Sequence, residues 1–140
     1  MIKNIFGIAG TALNAQTIRL NTTASNIANA GSIAPSEAEA FRAKRPVFRA
    51  LIDQQDLNGG FPTLGGVKVS RIEDSTLPIQ KTHDPGNPAA DDDGYVYLSN
   101  VNEVTEMVEM VAASRSFQNN VEVVNTAKQL MMRTLEISKA

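Results

Sequence analysis

"TALNAQTIRLNTTASNIANAG" (residues 11–31) has the apolar rhythm of an amphipathic helix and almost no charge. Leu13, Leu20 and Ile27 fall seven apart, and Phe6 extends the series by one heptad toward the N-terminus. Ile2, Ala9, Thr17 and Ala24 fill positions three or four away, so the spacing predicts a helix with a heptad seam and small residues mixed in. Gly31 is placed to stop it and Pro35 to prevent its resumption. The polar positions carry Asn14, Thr17, Asn21, Thr22, Thr23, Ser25, Asn26 and Asn29. From Met1 to Ser36 the only charged side chains are Lys3 and Arg19. Asn, Thr and Ser are mediocre helix formers, because their side chains compete for backbone groups. A face of neutral donors and acceptors gains most inside a protein interface, where it avoids the desolvation cost of buried charge. The expectation is a helix surrounded by other helices, with folding coupled to assembly.

Outward from that segment, the other end of the chain repeats the pattern. Asn100 is placed as an N-cap, with Glu103 three residues on as a capping-box variant. The apolar series then runs Val104, Met107, Val111, Phe117, Val121, Val124, Met131 and Leu135. Glu103, Glu106 and Glu109 sit early and Lys128, Arg133 and Lys139 late, the order that suits the helix dipole. Asn119, Asn120 and Asn125 lie beside the seam, so Asn-rich faces of the two helices could cross-bond. Between the helices the grammar changes. Short runs at Val47–Ile52, Gly66–Ile72, Leu77–Lys81 and Gly94–Leu98 read as strands. "NGG" at Asn58, "LGG" at Leu64, "DPGNP" at Asp84 and "DDDG" at Asp91 read as turns. The predicted fold is α+β. An N-terminal helix over 1–31 and a C-terminal helix over 100–140 pack as a coiled-coil-like pair and form one domain, with a β-rich insert over 32–99.

Composition narrows the function. The chain has 140 residues, a net charge of −2 and no cysteine. That balance argues against nucleic-acid binding, which needs a basic excess. Arg42–Arg45, "RAKR", reads as a solvated loop. The missing cysteines remove disulfides, thiolate metal sites and a Cys nucleophile. No stretch approaches the roughly 20 apolar residues of a membrane span. Gly7 and Gly10 interrupt the first apolar run, whose pattern continues in phase past any cleavage point, so a cleaved signal peptide is not expected. Asp91–Gly94 fails as an EF-hand loop, because Ala89 and Asn100 would fall at its first and twelfth positions. The single histidine, His83, cannot build a His-rich metal site and has no nucleophile elbow to serve. No phosphate-binding glycine loop is present. The reading is a protein without catalysis, metal or cofactor.

The same residues resemble a known family. "ALNAQTIRLNTTASNIANAG" is similar to the N-terminal motif of bacterial flagellar axial proteins, a helix ending in A-x-N-I-A-N. Here these are Ala24, Asn26, Ile27, Ala28 and Asn29. "HDPGNPAADDDGYVYL", with Asp84, Pro85, Asp91, Asp93, Gly94 and Tyr95 ahead of the C-terminal helix, is similar to the proximal-rod branch of that family. The resemblance covers both ends of the chain and departs at Ser32–Arg49. It implies a structural subunit of the basal-body rod whose terminal helices assemble into a torque-transmitting axial tube. It also implies partners among its own copies and other rod proteins, and export unfolded by the flagellar type III apparatus. The two helix seams, Phe6, Leu13, Leu20 and Ile27 against the C-terminal series, are the expected packing and assembly residues. Two alternatives remain: another rod- or hook-type axial protein, or a secreted binding module dimerised by its helices.

Overall fold

The computed structural model describes residues 2–53 and 63–139. The "NGG" turn lies outside them. The neutral segment forms helix α1, Ile2–Ala28, and the C-terminal segment forms α2, Glu103–Lys139. Their 27 and 37 residues give lengths of roughly 40 and 55 Å. Five strands lie between: β1 (Ile33–Ala34), β2 (Lys44–Asp53), β3 (Thr63–Asp74), β4 (Gln80–His83) and β5 (Tyr95–Leu98). β1, β5 and β4 make one antiparallel sheet in that order, and β2 and β3 pair as a separate antiparallel ribbon. This is the expected α+β plan of two long helices around a β-rich insert.

Both helix ends differ in detail from the sequence expectation. Gly31 does not take a left-handed conformation. α1 instead ends by tightening: Asn29 N–H donates to the carbonyls of Ser25 and Asn26, Ala30 N–H donates to Ile27, and the Asn29 amide donates to Ser25. Side-chain capping by Asn29 makes a glycine cap unnecessary. At the start of α2 the cap is Asn102, whose Oδ1 accepts from Thr105 N–H at 2.9 Å. Asn100 is released for another task. Its Oδ1 accepts from Ala43 N–H at 2.7 Å and its Nδ2 donates to Leu77 O at 2.8 Å, joining the ribbon base to the approach to α2. Ala43 is buried, so Asn100→Ala leaves its N–H without a partner. A loss of roughly 1–2 kcal/mol is expected in a urea titration. An unchanged midpoint would mean that water replaces the amide.

"LGG" is not a turn either. Gly65 and Gly66 lie within β3, where the register shifts opposite Leu51 and Ile52. Gly66 has φ +133°, and a Cβ there would fall 2.3 Å from Thr11 Oγ1. That glycine lets the ribbon approach α1. Thr11 Oγ1 donates to Ile8 O and accepts from Val67 N–H at 3.1 Å, fastening ribbon to helix. "RAKR" is knitted into the ribbon base rather than solvated. Arg42 donates to Leu77 O and pairs with Glu37, Lys44 pairs with Asp74, and Arg45 with Glu106.

The interior is thin. Among the described residues the buried apolar ones are Val96 and alanines: Ala9, Ala15, Ala34, Ala40, Ala43, Ala113 and Ala127. The largest fully buried side chains are polar, Glu106 and Asn26.

Candidate functional site

The helix pair runs antiparallel, tied by Arg19 to Glu109 and by Asn26 to Glu106. Heptad positions are sheltered on each helix. On α1 they are Phe6, Ala9, Leu13, Gln16, Leu20, Thr23 and Ile27, with Ala15, Thr22 and Asn26 buried outside that series. On α2 they are Glu106, Met110, Ala113, Phe117, Asn120, Val124, Ala127 and Met131. On α1 the large apolar residues are separated by Ala9, Gln16 and Thr23, and on α2 Ala113 and Ala127 stand among larger side chains, which leaves room for close approach of the helices.

The expected residues divide accordingly. Phe6, Leu13, Leu20 and Ile27 are half-buried on the α1 seam, and Phe117, Val124 and Met131 are half-buried on that of α2. Val104, Met107, Val111, Val121 and Leu135 are not brought to the seam. Val104 is 72% exposed, Met107 49% and Val111 53%, on the side of α2 facing away from α1. Met110 and Ala113 take the inner places instead, at positions the sequence reading passed over. α2 thus has two apolar faces, and a list of apolar spacings mixes them. The expected Asn ladder between helices does not form within the chain. Asn14, Asn21, Asn119 and Asn125 are exposed, and Asn120 donates locally to Ser116 O.

Asn26 has a defined task. Its Oδ1 accepts from Lys44 N–H at 2.8 Å, and its Nδ2 donates to Lys44 O and Glu106 Oε2, each at 2.9 Å. One amide therefore closes a two-point pair with the first residue of β2 and reaches across to α2. Arg45 Nη2 lies 2.6 Å from Glu106 Oε1, an ion pair whose angle is too acute for a good hydrogen bond. α1, β2 and α2 meet at this one carboxylate. The neighbouring motif residue Asn29 caps α1, whereas Ala24 and Ala28 are exposed.

The second motif shapes a loop. Asp84 O accepts from Asn87 N–H, and Asp91 Oδ1 accepts from Asp93 and Tyr95 N–H at 3.1 and 2.7 Å. Pro85 packs beside Gly94, which has φ +77°; a Cβ there would fall 3.0 Å from Pro85 Cβ and 3.2 Å from His83 Nε2. The Asp93 side chain stays exposed. The loop delivers β5, whose Tyr95 and Tyr97 flank Lys81 at 4.0 and 5.4 Å from Nζ to ring centroid. The Tyr97 hydroxyl is the main cause holding the Lys81 ammonium above its ordinary pKa. Among the described residues no group of His, Asp and Glu side chains is arranged to hold a metal ion, and no helix is long and apolar enough to cross a membrane.

Comparison with known proteins follows the two ends of this architecture. Residues 6–30 match the family described as "Flagella basal body rod protein". Residues 92–137 match "Flagellar basal body rod FlgEFG protein C-terminal". The chain is 48% identical over 136 residues to the flagellar basal-body rod protein FlgC of Salmonella typhimurium, covering 97% of each chain. The FlgC proteins of Yersinia enterocolitica and Buchnera aphidicola subsp. Schizaphis graminum are 47% and 41% identical, again over 97% of each chain.

Proposed function

Since the chain belongs to the FlgC family of flagellar basal-body rod proteins, we propose that it builds the rod through the outward faces of its two long helices. It is a structural subunit and not an enzyme. The observation that carries the assembly reading is the inverted burial. Valines, leucines, isoleucines and methionines stand outside while a carboxylate and an amide lie inside. The chain exposes 9918 Å². A compact monomer of its mass would expose about 7,100 Å². The difference is on the scale of surface that obligate partners bury. Neighbouring copies and other rod proteins supply the cover, and torque passes along the packed helices. The Asn- and Thr-rich α1 is marginal alone, which suits export as an unfolded chain by the flagellar type III apparatus and ordering in a rod that crosses the periplasm.

The test is replacement of the FlgC protein in a motile strain by this chain and by its Leu20→Asp variant. Leu20 is half-buried on the seam, where an unpaired carboxylate costs several kcal/mol, on the order of the whole stability of a small domain. The unsubstituted chain is expected to restore swimming, and the variant to reduce it at least tenfold with the chain missing from isolated basal bodies. Normal swimming by the variant would refute the dependence of assembly on the packed helix pair.

A further inference from the structure

The side of α2 turned away from α1 carries a ridge of Val104, Met107, Val108 and Val111, each about half exposed or more. Met107, Val108 and Val111 border a groove of 340 Å³ with Ala112 and Arg115. No described residue covers it. α1 has an uncovered face of opposite character. Gly7, Gly10, Asn14, Thr17, Asn21 and Ala24 step by three and four along its outside, all exposed. Cβ atoms added at Gly7 and Gly10 would meet nothing within 4 Å. We propose that the α2 ridge is covered by this outer stripe of α1 from a second copy of the chain, a head-to-tail contact that leaves a free α1 and a free α2 for the next copies. The proposal rests on the assembly reading and specifies which faces meet.

Three observations choose that occupant. The first is size. Branched and long side chains stand on one face and the smallest on the other, so ridge meets groove. A two-fold contact between α2 helices would set ridge on ridge. The second is charge. α1 has no carboxylate, so its stripe brings nothing that repels Glu103 or Glu122 on α2. The third is level. The ties Asn26–Glu106 and Arg19–Glu109 place Asn21 near the height of Val111 within one chain, on separate outward faces. Copies related by rotation about an axis along the helices keep that height and the antiparallel sense. The two faces are different surfaces of one chain, so the contact is heterologous and generates rings or helical stacks, according to whether the rotation closes.

The chain contains no cysteine, so introduced thiols report alone. Cells carrying Asn21→Cys combined with Val111→Cys are oxidised mildly, and their basal bodies are isolated and run without reductant. An axial offset between copies is covered by pairing Asn21→Cys with Val104→Cys or Gln118→Cys, one heptad either way. At least one pair is expected to give a ladder of dimers, trimers and larger species, while each single substitution stays monomeric. Should a pair fail to enter basal bodies, Thr17→Cys with Arg115→Cys probes the same contact one turn along. Dimers from Val111→Cys alone would establish a two-fold contact and overturn the proposal. Absence of a ladder from every pair, with the chain present in basal bodies, would overturn it while leaving the assembly reading intact. Absence of the unsubstituted chain from basal bodies would remove both.

Discussion

Glu106→Leu is expected to lower the stability of the folded chain by roughly 3 kcal/mol, read as a fall in the urea midpoint of the helical circular dichroism signal. Glu106 is fully buried in the first turns of α2. Removing its carboxylate leaves the Asn26 amide one acceptor short and the Arg45 guanidinium without its counter-ion. Breaking a buried pair by deleting one partner typically costs about 3–5 kcal/mol, and the lower end applies because the Arg45 side chain is 43% exposed and partly hydrated. Two companions separate charge from shape. Glu106→Gln keeps an acceptor for Asn26 and loses only the ionic part, so its loss is expected to be about half as large. Arg45→Met leaves the fully buried Glu106 carboxylate without its counter-ion, so its loss should also be roughly 3 kcal/mol. If Glu106→Leu proved neutral, packing would carry this junction and the carboxylate would be incidental.

The second large effect is expected at Gly66. Gly66→Ala forces a side chain to adopt φ +133° and sets its Cβ against Thr11 Oγ1. The backbone strain alone is about 1–3 kcal/mol. The contact is relieved by turning the Thr11 hydroxyl aside or by withdrawing the ribbon from α1, and either breaks the Val67-to-Thr11 hydrogen bond. A total of roughly 3 kcal/mol is expected, with amide exchange at Val67 accelerated before exchange in the centre of α2. Adding Thr11→Ala makes room without changing φ, so the double variant should recover part of the loss. Full recovery would show that the contact, not the backbone conformation, is what demands glycine.

How much of this was readable in advance differs between the helices for a physical reason. In α1 the large apolar residues at Phe6, Leu13, Leu20 and Ile27 lie on one heptad series, so spacing alone identifies the side that is sheltered. In α2 apolar residues occupy two faces, and the inner one includes Glu106, Asn120 and alanines that hydropathy ranks low. Spacing follows the brighter stripe, which here is the outer one. The strands at Val47–Ile52, Gly66–Ile72 and Gly94–Leu98 were legible from β-branched and aromatic runs, whereas two-residue β1 exists only through pairing with β5. Asn102 rather than Asn100 as cap, and the ion pairs of "RAKR", depend on contacts between residues far apart in sequence. Local rules carry no signal for them. The Asn26 clamp is the clearest case, because nothing in a lone asparagine announces a carboxylate 80 positions later.

That separation has a consequence in time. α1 takes its packing partner from α2, β1 pairs only with β5, and the amide of Asn26 closes on Glu106. A chain delivered N-terminus first therefore holds no complete partner for α1 or β1 until its final third has arrived. Loop closure over such distances is slow relative to local helix formation. On N-terminus-first export, the order of emergence would itself keep the leading half threadable, and the last segment to arrive would set the moment at which the subunit becomes rigid.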